Sequence, residues 1–505
     1  MTVPINSEVT PIGPQALADL LGRWPAADGP LYRLLATRIG RLADTGVLPP
    51  GTRLPPERPL AAALAVSRNT VALAYQVLRD DGMAESRQGS GTRLMPHLIT
   101  PAAAHRANGF FAGLLGGTVA IDLTRAAVEC APIVAEALQS PRDVLGDREL
   151  SRLTADAGYL PHGLAELRAA IAAMLTAAHS VPTEAAEVLV TTGAQQALDL
   201  LVRSEVTPGR AVVTEDPTFP GFLDAVQRAG GRLVGVPPGD VARIADAVAA
   251  HQPALVYLIP SFHNPTGSLL AAAARLDIVE LARRYPDVTV IDDLTMAELP
   301  LLGDGPLGNR VPPPLAALAP RLPNVVTVGS FSKTYWGGLR TGWVRAPEGI
   351  IARLAAAKAA ADLGSPPFQQ AILAALVRER HDEILSGRAD WTRDRYAAVA
   401  SALESLLPAW TWTPPAGGLT IWARLPGDAD SSAFAQAALR RGVAVVPGRL
   451  LSVSSRRSPW LRLAFVRAPS ELAAAVQTLA AVPPGASGEA ELSGDHVPTR
   501  KLKTR

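Results

Sequence analysis

The feature that most restricts the fold is an alternation. Between Val119 and about Val482, short apolar runs are separated by longer Ala/Leu/Arg stretches with helical spacing. The runs include Val188–Thr192, Ala211–Thr214, Ala254–Ile259, Val288–Ile291 and Asn324–Val328. That pattern predicts an α/β domain built on a largely parallel sheet. A chain of 505 residues is too long for one ordinary domain and long enough for a large core.

What precedes the alternation is different. Residues 1–27 read as a leader with a helix around Gln15 to Gly22, and 28–95 as a compact helical module. Residues 96–118, rich in Ala, Gly and Pro, read as a linker. The α/β region then occupies 119–483, and the small, polar segment 484–505 reads as a disordered tail. Met1 to Pro14 carry no basic residue and no apolar segment, so no secretory signal is expected. No run is long and apolar enough for a transmembrane helix. A lone cysteine, Cys130, rules out an internal disulfide framework and fits a reducing cytoplasm. No metal ligands are assigned.

Within the module, Leu31 to Leu94 hold nine arginines against five acidic residues. A first helix is expected from Pro30 to Arg41, ended by the Gly46–Gly51 breaker, and a second over Glu57–Ala65. Ser67 then offers an N-cap for a third helix reaching about Asp81. Val71, Ala74, Tyr75 and Leu78 share its inward face, leaving Arg68, Asn69, Thr70 and Ala72 exposed at its start. That end of a recognition helix meets base edges and phosphates in the major groove. Arg87 to Gly91 would turn between two short strands, a wing with Arg87 and Arg93 near backbone phosphate. The pattern alone leaves open a small helical docking or dimerisation domain.

In the larger region the lysine count matters. Of 48 basic residues only Lys333, Lys358, Lys501 and Lys503 are lysines, the last two in the tail. A lysine kept in an arginine-using body invites a reason, and one is that only a primary amine forms an imine. Lys333 lies in Val328-Gly329-Ser330-Phe331-Ser332-Lys333-Thr334-Tyr335, after an apolar strand and seven residues before Arg340. Chemistry on pyridoxal 5'-phosphate (PLP) needs such an amine, with donors such as Ser330 and Arg340 for the phosphate.

Other segments carry matching chemistry. Gly193, Ala194 and Gln195 sit where a strand gives way to a helix whose first N–H groups suit phosphate. Phe219, in Asp216-Pro217-Thr218-Phe219, offers a stacking face for a pyridine ring. Asn264, in His263-Asn264-Pro265-Thr266-Gly267, offers a partner for the ring oxygen. Asp292, at the end of Val288–Ile291, offers one for the ring nitrogen. Taken singly, each is as ordinary as a turn, a core aromatic or a strand-end cap.

Together and in this order, these segments resemble the fold-type I aminotransferases, which implies a PLP-dependent transferase fold with a smaller C-terminal α/β subdomain. By that resemblance Lys333 is the cofactor lysine. Tyr159 resembles the tyrosine that reaches the phosphate from the neighbouring subunit, implying a homodimer. Arg462, in Trp460-Leu461-Arg462-Leu463, resembles the arginine that clamps a substrate carboxylate. The run Gly51-Thr52-Arg53-Leu54-Pro55-Pro56-Glu57-Arg58, with Val66–Val71 and Gly89-Ser90-Gly91-Thr92, resembles the GntR-type winged helix-turn-helix. That resemblance implies DNA contacts from Arg58, Ser67, Arg68, Asn69 and Thr70, with Gly89 and Gly91 at the wing tip. A GntR winged helix ahead of this domain is similar to the MocR regulators, in which the domain senses PLP or a small amino compound.

Two positions depart from the family. The tyrosine expected two or three residues after the aspartate is replaced by Leu294 or Thr295, and Asp122–Ala127 lacks a glycine often found near the substrate carboxylate. Two functions follow: a cytoplasmic regulator that binds an operator of two half-sites, or a working aminotransferase with an accessory N-terminal domain.

Overall fold

A computed structural model of the chain describes residues 11–22, 30–44, 48, 52–80, 84–87, 91–94, 119–301, 311–427, 429–454 and 458–483. The expected linker, tail and Gly89 lie outside these. The chain divides into two compact units, Met1–Gly109 and Phe110–Arg505.

In the first unit α1 (Pro14–Leu21), α2 (Leu31–Asp44), α3 (Glu57–Ala63) and α4 (Arg68–Asp80) precede the hairpin β1 (Ala84–Arg87) and β2 (Gly91–Leu94). β1 and β2 pair antiparallel, Arg87 opposite Gly91, as a wing requires. Val71, Ala74, Tyr75 and Leu78 point into one core with Leu35, Ile39 and Leu60. Within the expected leader, the described residues 11–22 pack with the module. Leu17 and Leu21 are buried in that same core, and Ile12 N donates to Arg53 O. α1 is amphipathic, and only the neighbouring helices supply the apolar surface its stripe needs.

In the second unit the expected runs all become strands, after the two-residue β3 (Ile121–Asp122). They are β4 (Val188–Thr191), β5 (Ala211–Glu215), β7 (Leu255–Leu258), β8 (Thr289–Asp293) and β9 (Val325–Ser330). Two strands without such runs join them, β6 (Arg232–Val236) and β10 (Gly342–Arg345). The sheet order is β4-β10-β9-β8-β7-β5-β6. β10 runs antiparallel to both neighbours, and the remaining pairs are parallel. Each face is covered by its own apolar cluster, one including Val290, Val325 and Leu258, the other Ile291, Val326 and Val328. A smaller four-stranded sheet, containing Thr420–Arg424 and Trp460–Ala464, forms the C-terminal subdomain.

Candidate functional site

Parallel sheets place ligands beyond the carboxyl ends of their strands. β4, β9 and β8 end at one pocket, with the start of the antiparallel β10 between the first two. It is lined by Ala194, Gln195, Phe219, Asn264, Ser330, Lys333 and Arg340, with Ile259, Asp293, Thr295, Met296 and Ser332. Seven expected site residues are thus brought together from positions almost 150 residues apart in sequence, as the separation of Ala194 and Arg340 shows.

After β4 the chain turns at Gly193, φ +79°, and enters the helix Ala194–Glu205. A Cβ on Gly193 would lie 2.9 Å from Arg340 Nη2, so a side chain there would displace the arginine. Arg340 Nη2 donates to Thr192 O at 3.0 Å, which holds the guanidinium beside the helix start. The first N–H groups of a helix have no intrahelical acceptor, and those of Ala194 and Gln195 belong to residues lining the pocket. On the neighbouring strand β9, with its Oγ 3.2 Å from Thr341 O, Ser330 donates to Ser332 Oγ at 3.0 Å. Donors and one cation therefore converge as a phosphate needs.

Lys333 is half-buried, and its Nζ donates to Ala126 O. Burial, then the positive charges of Arg462 and Arg340, lower its pKa to about 8, with Asp293 opposing. Arg462 is buried, donating to Asn264 Oδ1 at 3.3 Å and Thr124 O at 2.5 Å. Burial also lowers its pKa, to about 10, against Asp122. Phe219 lines the pocket at the start of the helix Pro220–Arg228, where a Cβ on Gly221 would strike its ring at 2.6 Å.

The expected acid, Asp292, does not reach this pocket. Successive strand residues face opposite sides of a sheet. Asp292 is fully buried on the far face and accepts from Leu315 N at 2.7 Å. Asp293 is the carboxylate on the Lys333 side. It accepts from Tyr257 Oη at 2.6 Å and Thr295 N at 2.8 Å, and burial raises its pKa. Leu294 likewise packs into the far core, while Thr295 and Met296 line the pocket. The departure from the family tyrosine is therefore felt at Thr295 and Met296. Tyr159 is also absent from the pocket of its own chain: it is 69% exposed, beside a separate depression with Leu160 and His162.

In the first unit Ser67 caps α4 as expected, its Oγ accepting from Thr70 N at 3.0 Å. Arg58, Ser67, Arg68 and Asn69 are exposed and Thr70 is half-buried. Arg68 pairs with Glu57 at 2.9 Å. One groove is lined by Arg53, Arg58, Arg68, Gly91 and Thr92. Arg53 was not among the expected contacts. Its signal lay in the alternation of Thr52 and Leu54, both buried, around one exposed cation.

Known proteins share both parts. Residues 132–479 match the family described as aminotransferase class I and II, and residues 31–94 the bacterial regulatory proteins of the gntR family. The uncharacterized HTH-type transcriptional regulator YisV of Bacillus subtilis is 29% identical over 477 residues, 88% of this chain and 94% of its own length. A Rhizobium meliloti protein named "Probable rhizopine catabolism regulatory protein MocR" is 29% identical over 341 residues, 64% of this chain and 66% of that one. The crystal structure of LysN, the alpha-aminoadipate aminotransferase of Thermus thermophilus, superposes with a TM-score of 0.66 at 29% identity. It covers 75% of this chain and 95% of its own, and was solved with N-(5'-phosphopyridoxyl)-L-leucine.

Proposed function

The chain belongs to the aminotransferase class I and II family and carries a gntR-type DNA-binding domain ahead of it; from that order of parts we propose a MocR-type regulator whose aminotransferase-like domain senses an amino compound or PLP itself. The observation that carries this reading is the capped, arginine-bearing start of α4 in the same chain as the Lys333 pocket.

PLP is the cofactor that the pocket's donor set fits. When bound, it supplies an aldehyde that condenses with primary amines and a ring that withdraws electrons. Lys333 would hold it covalently, its pKa of about 8 making a larger share of neutral amine available near physiological pH than an ordinary lysine has. The N–H groups of Ala194 and Gln195, Ser330 and Arg340 would take the phosphate. Phe219 would stack on the ring, Asn264 would meet its oxygen, and Asp293 rather than Asp292 would face its nitrogen. Arg462 would take the effector carboxylate, which must replace Thr124 O as its partner.

Tyr159 would complete the site of a second subunit, making the protein a homodimer. The neighbouring Leu363 and Phe368 are exposed with it, which suits an apolar interface. Two winged helices per dimer would read two half-sites on an operator, in the cytoplasm where bacterial DNA lies. No helix among the described residues is long and apolar enough to cross a membrane.

The test is an anisotropy titration against the chain's own upstream DNA and a scrambled duplex at fixed salt, with and without PLP. Preference for the upstream DNA supports the regulator. Equal affinity for both leaves the second reading, an active aminotransferase, which the grouping of Lys333, Asp293 and Arg340 favours. Steady-state transamination over a panel of amino acids measures that reading directly.

A further inference from the structure

Lys358 is the other lysine of the folded body, and the function above leaves it without a role. It is completely buried on the helix Glu348–Asp362. Elsewhere this protein uses arginine for buried cations: Arg275, Arg345, Arg388 and Arg462 are all buried. Arg275 shows how such a fork is used, spreading donors to the carbonyls of Leu270, Pro313 and Pro260. At 358 the acceptors are clustered instead. Nζ donates to Gln196 Oε1 at 3.0 Å and to Asp362 Oδ1 and Oδ2 at 2.9 and 2.7 Å. A compact ammonium meets three converging acceptors; a planar guanidinium does not.

What Lys358 holds is the back of the phosphate cradle. The same Gln196 Oε1 accepts from Thr192 N at 2.8 Å, and Gln196 Nε2 donates to Asp362 Oδ2 at 2.7 Å. Thr192 is tied at every polar group. Its N–H goes to Gln196, its O accepts from Arg340, and its Oγ1 lies 3.2 Å from Ser365 Oγ. Thr192 thus joins the lysine's network to the arginine of the pocket. The turn has little slack, since a Cβ on Gly342 would lie 2.6 Å from the Gly193 carbonyl carbon.

We propose that Lys358 is a positioning residue for the cofactor phosphate: its buried ammonium fixes Gln196, and through Gln196 the Thr192–Gly193 turn that aims the backbone donors and Arg340. The inference rests on the reading of this pocket as a PLP site. It explains why a lysine is retained at a position that touches neither ring nor aldehyde. Its action is confined to the phosphate end, because Lys333, Asp293 and Asn264 take no part in the network.

The test compares PLP with pyridoxal, which lacks the phosphate, in absorbance titrations of the full-length apo protein. Lys358→Met should weaken PLP about tenfold while leaving pyridoxal affinity nearly unchanged, the scale of one lost charged or neutral hydrogen-bond link. Gln196→Ala should do the same with the Lys358–Asp362 pair intact, and should the lysine variant fail to fold, the absence of a phosphate-specific loss here still overturns the proposal. Lys358→Arg should not restore the wild-type ratio. Equal losses for PLP and pyridoxal, or no loss in Gln196→Ala, would overturn the proposal. A wild-type protein that binds neither compound overturns the PLP reading and the inference with it, and is distinct from a wild type that binds both while the variants stay flat.

Discussion

In the proposed role Lys333 is a nucleophile on which two guanidinium groups and partial burial act. Both effects disfavour the ammonium form, so the amine is released near pH 8. The rate at which apo protein captures PLP should therefore rise with pH and level off above an inflection near 8. In Arg462→Met one repelling charge is gone, and the inflection should move upward. A stopped-flow pH profile with an inflection in the ordinary lysine range would contradict this account. In Lys333→Ala the absorbance of covalently held PLP should be lost.

The two adjacent acids make a second residue-scale contrast. Asp293→Asn should change the absorption spectrum of bound PLP, because its carboxylate lines the pocket. Asp292→Asn should leave the spectrum alone and lower stability by roughly 1–3 kcal/mol, since it disturbs a buried acceptor of Leu315 N. The reverse pattern in paired spectra and denaturant melts would restore the assignment to Asp292. The run Ile291-Asp292-Asp293 showed that an acid ends this strand but could not say which one faces the cofactor. A buried strand covered on both faces has no polar side to orient the count.

At the scale of elements, α4 was legible because several local signals agree. Ser67 caps it, its inward residues recur at helical spacing, and its cations fall outside that stripe. Ser67→Ala should cost about 1 kcal/mol, seen as faster amide exchange at the start of α4. α1 was visible as a helix but not as part of the module. Leu17→Ala should cost roughly 2–5 kcal/mol in the first unit, because it empties a fully buried site. Unchanged exchange protection in α2 and α4 would return α1 to the status of a leader. β10 escaped notice for a related reason. Gly342-Trp343-Val344-Arg345 has no apolar run, and its arginine is buried beside Glu187 only because the fold brings the two together.

For the whole molecule, DNA recognition and ligand sensing are separable in experiment. Arg68→Ala should weaken operator binding by about 1–3 kcal/mol if it reads a base edge, with relaxed preference at that base. Arg53→Ala should weaken all sequences alike and reduce the salt slope, as loss of a phosphate contact does. Lys333→Ala should bind the operator as wild type does while responding weakly to the effector, a coupling between two sites broken at one of them. Salt-dependent anisotropy distinguishes these outcomes, and an intact effector response in Lys333→Ala would separate sensing from the covalent site.

Neighbouring residues alone specify the order of the two parts, the strands with apolar runs, the capped helix and the short loop after β9 that carries Lys333. Each of these is written locally, where chain geometry turns spacing into direction. Long-range packing was needed to choose which acid faces Lys333, to set Thr295 and Met296 rather than Leu294 at the pocket, to bring α1 into the first core, and to give Lys358 its partners. Those facts depend on contacts between residues far apart in the chain, such as Lys358 with Gln196. No local period encodes them, because they are set by which faces the core buries.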